Sequence, residues 1–301
     1  MSLTCNRLLF AAVVTAFLSA CGGSETPMRV PAVGSDSFIL PEANGRDLLY
    51  VTGYPSTDLY TYPNGRYVSA LHTNGFAMCS DKAGHVFITN AYGVAEYPHG
   101  GASQIVFLNG PFGEVGSCSV DPTTGNLAVT SASTSGFGVG VYRPGPHHRW
   151  HRPRIYTFAQ YPVSCSYDST GDLFVDATLS DVTYLFELRK GSSTFQPLSL
   201  GQKIAIAGYI QWDGRFLAVA DNQTLIIHRF AITGSTAKQI GTMHVSHANE
   251  IGQFWIQGHI LVGLDALREF VGFWHYPKGG APFEKINMTG PLGATVSLAH
   301  N

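Results

Sequence analysis

The chain has 301 residues, a formal net charge of −2 and only 13% charged residues, about half the share of an average soluble protein. That balance leaves no electrostatic basis for nucleic-acid binding. Its 34 glycines, 14 tyrosines and 18 phenylalanines suit short strands joined by tight turns better than helices or disorder.

The N-terminus reads as an address. Arg7 precedes an apolar run, residues 8–18, closed by Ser19-Ala20-Cys21-Gly22. The run is shorter than the roughly 20 residues a membrane span requires, so it is an export signal. Leu18-Ser19-Ala20-Cys21 resembles the bacterial lipobox, which implies that Cys21 is lipidated and becomes the mature N-terminus; the alternative is an ordinary signal peptide cut near Ala20. The expected layout is a signal peptide over 1–20, a Gly/Ser/Pro-rich flexible tether over 21–45 and one folded domain over 46–301. The expected location is the cell envelope, facing the periplasm or the surface, with membrane contact through the lipid anchor alone.

The folded part repeats a unit. Gly116-Ser-Cys-Ser-Val-Asp-Pro-Thr-Thr-Gly-Asn-Leu-Ala-Val-Thr130 reads as strand, tight turn, strand. The same turn glycine precedes an apolar strand at Gly84, Gly171, Gly214 and Gly258, and Arg46–Val51 supplies the strand without its preceding partner. A third strand follows in each unit, ending at Tyr62-Pro-Asn-Gly65, Tyr97-Pro-His-Gly100 and Tyr276-Pro-Lys-Gly279 in three of them. A fourth strand completes it. Units of four strands at a period of roughly 40 residues predict an all-β, six-bladed β-propeller. The first unit lacks its innermost strand, and a spare strand, Leu292–Leu298, ends the chain. It is expected to complete blade one and close the ring. The order resembles NHL-repeat and gluconolactonase-like propellers, most closely at Ala218-Val-Ala-Asp-Asn222.

Propellers place ligands where loops enter the inner strands. Glu114 and Glu250, each four residues before a core inner-strand position, are expected at the channel mouth in units three and six, facing each other across the axis. Gly75, Tyr161, Ile206 and Pro291 occupy the same ring position in the other units. Opposed carboxylates suit a cation or a basic ligand group; the alternative is two solvated loop acids. The resemblance to lactone-hydrolysing propellers implies a metal at the mouth, held in part by a Glu-Gly-Pro. Here Glu114 is followed by Val115-Gly116, so the acid fits and the remainder does not. Further ligands would come from Asn90, Asp176, Asp221 or Asp265, at or just beyond second-strand ends, although Asp221 also suits a turn cap. No cofactor is expected, with calcium or another divalent cation the exception.

Cys79, Cys118 and Cys165 recur at one inner-strand position. Neighbouring blades should hold them beyond the roughly 7 Å Cα separation a disulfide tolerates, so they are expected as buried free thiols. An insertion between third and fourth strands carries His147, His148, Arg149, Trp150, His151 and Arg152. It is expected as an enlarged hairpin on the face opposite the mouth, either a solvated insertion or a protrusion for an anionic partner or a metal. The sequence carries no Ser-His-Asp order, nucleotide loop or zinc signature, which favours a ligand-binding or protein-interaction scaffold over an enzyme. The alternatives are a metal-dependent lactonase-like hydrolase and a structural envelope protein. The chain is expected to be a monomer whose partner is an extracytoplasmic protein or small molecule.

Overall fold

The computed structural model describes residues 39–134, 136–180 and 182–299; the signal peptide, Cys21 and most of the tether lie outside these residues. Their strands run in chain order as antiparallel meanders. Four form separate four-stranded sheets, and two more are fused into an eight-stranded sheet by their outermost strands. The fusion is a short parallel pairing, Ser199 with Thr236 and Leu200 with Ala237.

Six inner strands surround the axis: Gly293–Ser297, Met78–Ser80, Glu114–Val120, Tyr161–Tyr167, Ala207–Trp212 and Phe254–Gln257. Each contacts the next, and the last contacts the first. The units to which they belong are blades one to six. Six apolar clusters form the core, and each is shared between two successive blades, including blades six and one. A single four-stranded sheet buries neither face by itself, so stacking around a ring is what covers both.

The closure is the one expected from the spare strand. Gly293–Ser297 pairs antiparallel with Leu48–Thr52, from Thr52 opposite Gly293 to Leu48 opposite Ser297. The Leu292 amide donates to the Thr52 carbonyl at 2.8 Å, and the Ala299 amide to Asp47 Oδ1 at 2.9 Å. The fold is a β-propeller whose first blade joins the last strand of the chain to its first three. The start of the folded domain lies earlier than the sequence suggests. Ile39 bridges Gly101, and Ala43, in a turn of 3-10 helix over Pro41–Ala43, is buried against blades one and two.

The repeated turn has a local cause. Asp121 Oδ1 accepts from the Thr123 amide at 2.8 Å, and the Gly125 amide returns to the Asp121 carbonyl at 2.8 Å. Asp168 and Asp213 cap the same turn in blades four and five. The turn glycines Gly84, Gly125, Gly171, Gly214 and Gly258 have φ of 81, 74, 96, 97 and 60°, the left-handed region that a side chain disfavours.

Side chains stitch adjacent inner strands together. Ser119 Oγ accepts from the Tyr167 amide, and Ser164 and Ser166 Oγ accept from the Ile210 and Trp212 amides. Gln211 Oε1 accepts from the Ile256 amide, and Ser80 Oγ donates to the Val296 carbonyl. Between blades two and three the stitch is covalent, which corrects the expectation of three free thiols. Cys79 and Cys118 form a disulfide with their Cα atoms 5.7 Å apart. Inner strands converge on the axis, so equivalent residues of neighbouring blades come within disulfide range there. Cys165 remains a buried free thiol, and burial pushes its pKa far up.

Candidate functional site

The inner strands begin at one end of the axis, and every turn from a second to a third strand opens on the same face. A depression of about 210 Å³ lies there, lined by Phe76, Glu114, Val115, Thr130, Tyr161 and Tyr209 among others. Two residues expected at the mouth from the sequence, Glu114 and Tyr161, therefore meet in one cavity. Glu114 opens its strand and is exposed. Its blade lies three steps from that of Glu250 in the cyclic order, so the two belong to opposite sides of the ring. The depression is lined from blades two, three, four and five, and Glu250 is not in its lining.

Tyr209 is the residue that sequence reasoning missed. It lies three positions beyond Ile206, the predicted mouth residue of its unit. The inner strand is irregular there, its register with the second strand shifting between Ala207 and Ile210. Such a bulge redirects side chains, and simple alternation does not reveal it. Burial first, then Asp176, Tyr161 and Glu250, raise the Tyr209 pKa to about 12. Its phenol is therefore a neutral hydroxyl at any physiological pH.

Asp176 is fully buried. Its Oδ1 accepts from the Ser164 amide at 2.8 Å and the Ser164 hydroxyl at 2.6 Å, while Oδ2 has no partner. Desolvation raises its pKa to about 7, against the lowering effect of the Ser164 hydrogen bonds. The same position in blades two and three holds threonine: Thr89 Oγ1 accepts from the Ala77 amide and Thr130 Oγ1 from the Ser117 amide. All three side chains satisfy an inner-strand amide near the mouth. Asp176 does so with a carboxyl where a hydroxyl suffices elsewhere.

The remaining predicted mouth residues are occupied with the backbone. Asn90 Oδ1 accepts from the Tyr92 and Gly93 amides. Asp221 accepts from the Ala205, Ile206 and Gln223 amides, which holds its pKa low despite burial. That is the turn-cap role.

Around the mouth the face is apolar. Tyr54, Tyr92 and Leu267 are 79, 78 and 70% exposed at the tips of second-to-third-strand turns. Leu179 and Val182 are exposed in the equivalent turn of blade four, and Phe76, Tyr161, Ile206 and Leu292 are exposed where loops enter inner strands.

The His/Arg hairpin lies at the other end of the axis, because it joins a descending third strand to a rising fourth. It is folded against blade two. His148 Nδ1 donates to Glu96 Oε1 at 3.0 Å and Trp150 Nε1 to Glu96 Oε2 at 2.9 Å. The Trp150 ring meets Phe87 edge-on. His147, Arg149, His151 and Arg152 are exposed. Among the described residues, the group of His, Cys, Asp and Glu side chains close enough to hold an ion is His85, Glu96 and His148, and it lies on this face, away from Glu114 and Glu250.

An all-β propeller closed by its own C-terminal strand, with a carboxylate- and phenol-lined mouth, is thus the class of protein that the fold defines. No family model and no curated protein matches the chain. The solved structures that it resembles are propellers or share their shape. A chain of a nidogen/laminin complex matches at 13% identity over 85% of this chain and 100% of that one, with a TM-score of 0.68. A Bacteroides caccae protein of unknown function matches at 10% identity over 84% and 99%, TM-score 0.63. The periplasmic gluconolactonase PpgL of Pseudomonas aeruginosa matches at 12% identity over 83% and 99%, TM-score 0.60. At such identities the likeness is one of fold alone.

Proposed function

We propose that this protein is an exported, lipid-anchored propeller that binds an extracytoplasmic partner on its mouth face. The observation that carries the reading is the composition of that face. Large apolar side chains from blades one, two, four, five and six are exposed around a depression holding Glu114, Tyr161 and the neutral Tyr209 hydroxyl. Exposed apolar residues on a charge-poor protein suit a partner surface. A carboxylate and two phenols at its centre suit a partner that presents a basic group, since a cation over aromatic faces beside a carboxylate is favourably held. The lipid anchor at Cys21 would keep this face outside the cytoplasm and close to a membrane.

The test uses the full chain and a series of cationic probes: arginine amide, lysine amide and spermidine. Thermal stabilisation by at least one probe is expected, and Glu114→Gln/Glu250→Gln should abolish it without lowering the melting temperature of the unliganded protein. Stabilisation that persists in the double variant, or none with any probe, would count against this reading.

A second reading, a lactonase-like hydrolase, draws support from one observation. Asp176 is buried near Tyr209 with a free oxygen and a pKa of about 7, as suits a general base. Lactone hydrolysis by the full chain that Asp176→Asn removes would establish it; no hydrolysis with calcium, zinc or manganese present would exclude it.

A further inference from the structure

We infer that His85, Glu96 and His148 form a zinc site that clasps the blade-three hairpin to blade two, on the face opposite the mouth. The three side chains come from separate segments. His85 ends the turn between the first and second strands of blade two, Glu96 lies on its third strand over Gly93–Tyr97, and His148 belongs to the hairpin of blade three. Each offers one ligand atom, and these atoms all lie within 4.8 Å of one another.

The distances suit a small ion. Tetrahedral zinc with bonds near 2.0–2.1 Å separates its ligand atoms by about 3.4 Å. His148 Nδ1 and His85 Nδ1 stand 3.0 and 3.9 Å from Glu96 Oε1, on either side of that value. Two imidazoles and one carboxylate are the donor set of a borderline cation; calcium and magnesium would call for six or more oxygens.

The surroundings are built around the same three groups. Glu96 is 2% exposed and its second oxygen is fixed by Trp150 Nε1, so the carboxylate is held in one orientation. Asp81 Oδ2 accepts from His85 Nδ1 at 2.9 Å, a hydrogen bond that zinc would displace on ligating that nitrogen. His147 and His148 both have left-handed backbone, φ 55 and 54°, a conformation costly for side chains other than glycine. The hairpin accepts it in the arrangement that brings His148 over Glu96. The side chains of His85 and His148 remain 24 and 45% exposed, so an ion can enter from solvent and a fourth ligand position can face it.

The experiment is a zinc titration of the chelator-treated full chain, purified in detergent without a histidine tag, followed by calorimetry. One zinc per chain is expected. His148→Ala, which removes a largely exposed side chain, and His85→Ala should weaken it at least about tenfold, whereas His147→Ala/His151→Ala should not. A second readout is trypsin cleavage after Arg149: zinc should slow it in the native chain and in His147→Ala/His151→Ala, but not in His148→Ala. Binding below one zinc per chain, or weakened equally by loss of His147 and His151, would overturn the site. The first result would leave a metal-free hydrogen-bonded contact, and the second an unstructured histidine tract.

Discussion

The side chain of Gln253 pairs with both backbone groups of Met78, accepting from its amide at 2.8 Å through Oε1 and donating to its carbonyl at 2.5 Å through Nε2. The same Oε1 accepts from the Ala294 amide at 3.1 Å. One amide thus ties blade six to blade two and to the C-terminal strand that lies between them.

Gln253→Ala should therefore be costly for a single truncation. It leaves two buried amides and one carbonyl without partners, and each such group costs about 1–3 kcal/mol. A loss of about 3 kcal/mol or more is expected in urea unfolding. Deleting residues 291–301 should be worse, because it strips the inner partner from Leu48–Thr52 and exposes a long apolar edge. A truncated protein that melts like the full chain would contradict closure by the C-terminal strand.

The Cys79–Cys118 disulfide closes a segment with a sequence separation of 39. Cys79→Ser/Cys118→Ser should lower stability by about 2–4 kcal/mol, mainly through the freedom restored to the unfolded chain. Alkylation mapped by mass spectrometry checks the pairing. In the unfolded, unreduced chain Cys165 should label while Cys79 and Cys118 do not, and both should label once reductant is added; labelling of Cys79 in the unfolded, unreduced chain would refute the bond.

Asp176 makes stability depend on pH in a direction opposite to that of most carboxylates. Its pKa is about 7 in the folded protein and about 4 in the unfolded chain. Between these values the folded state holds a proton that the unfolded state has released. Stability from this group is therefore full below pH 4 and is lost as pH rises toward 7, with a slope approaching 1.4 kcal/mol per unit. Asp176→Asn keeps an acceptor for Ser164 and removes the titration, so its melting temperature should fall less between pH 5 and 8 than that of the native protein. Parallel profiles would show that Asp176 does not titrate in this range.

The lipobox reading predicts that Cys21→Ser releases the protein from membranes into the soluble exported fraction. Unchanged fractionation would leave export intact and remove the anchor.

The architecture was legible because its signals are local and repeated. Each turn glycine and the apolar strand that follows recur at a period of roughly 40 residues, and a spare strand at the C-terminus matched a missing one near the start. What the sequence hid depends on distances between blades. Equivalent cysteines of blades two and three come within 5.7 Å because inner strands converge, which no spacing along the chain records. Tyr209 reaches the mouth region through an irregular strand. His148 meets Glu96, 52 residues away, only once blades two and three are stacked. The hairpin was visible as an anomaly, and its partner was not.

The most direct measurement is divalent metal content, determined on the native full chain beside Glu114→Gln/Glu250→Gln and His148→Ala. One zinc per chain is expected in the native protein and in the mouth variant, with loss in His148→Ala. That result would leave the mouth as a metal-free binding surface and put the ion under the hairpin. Metal lost from the mouth variant and kept in His148→Ala would reverse the assignment and turn the reading toward a metal-dependent hydrolase.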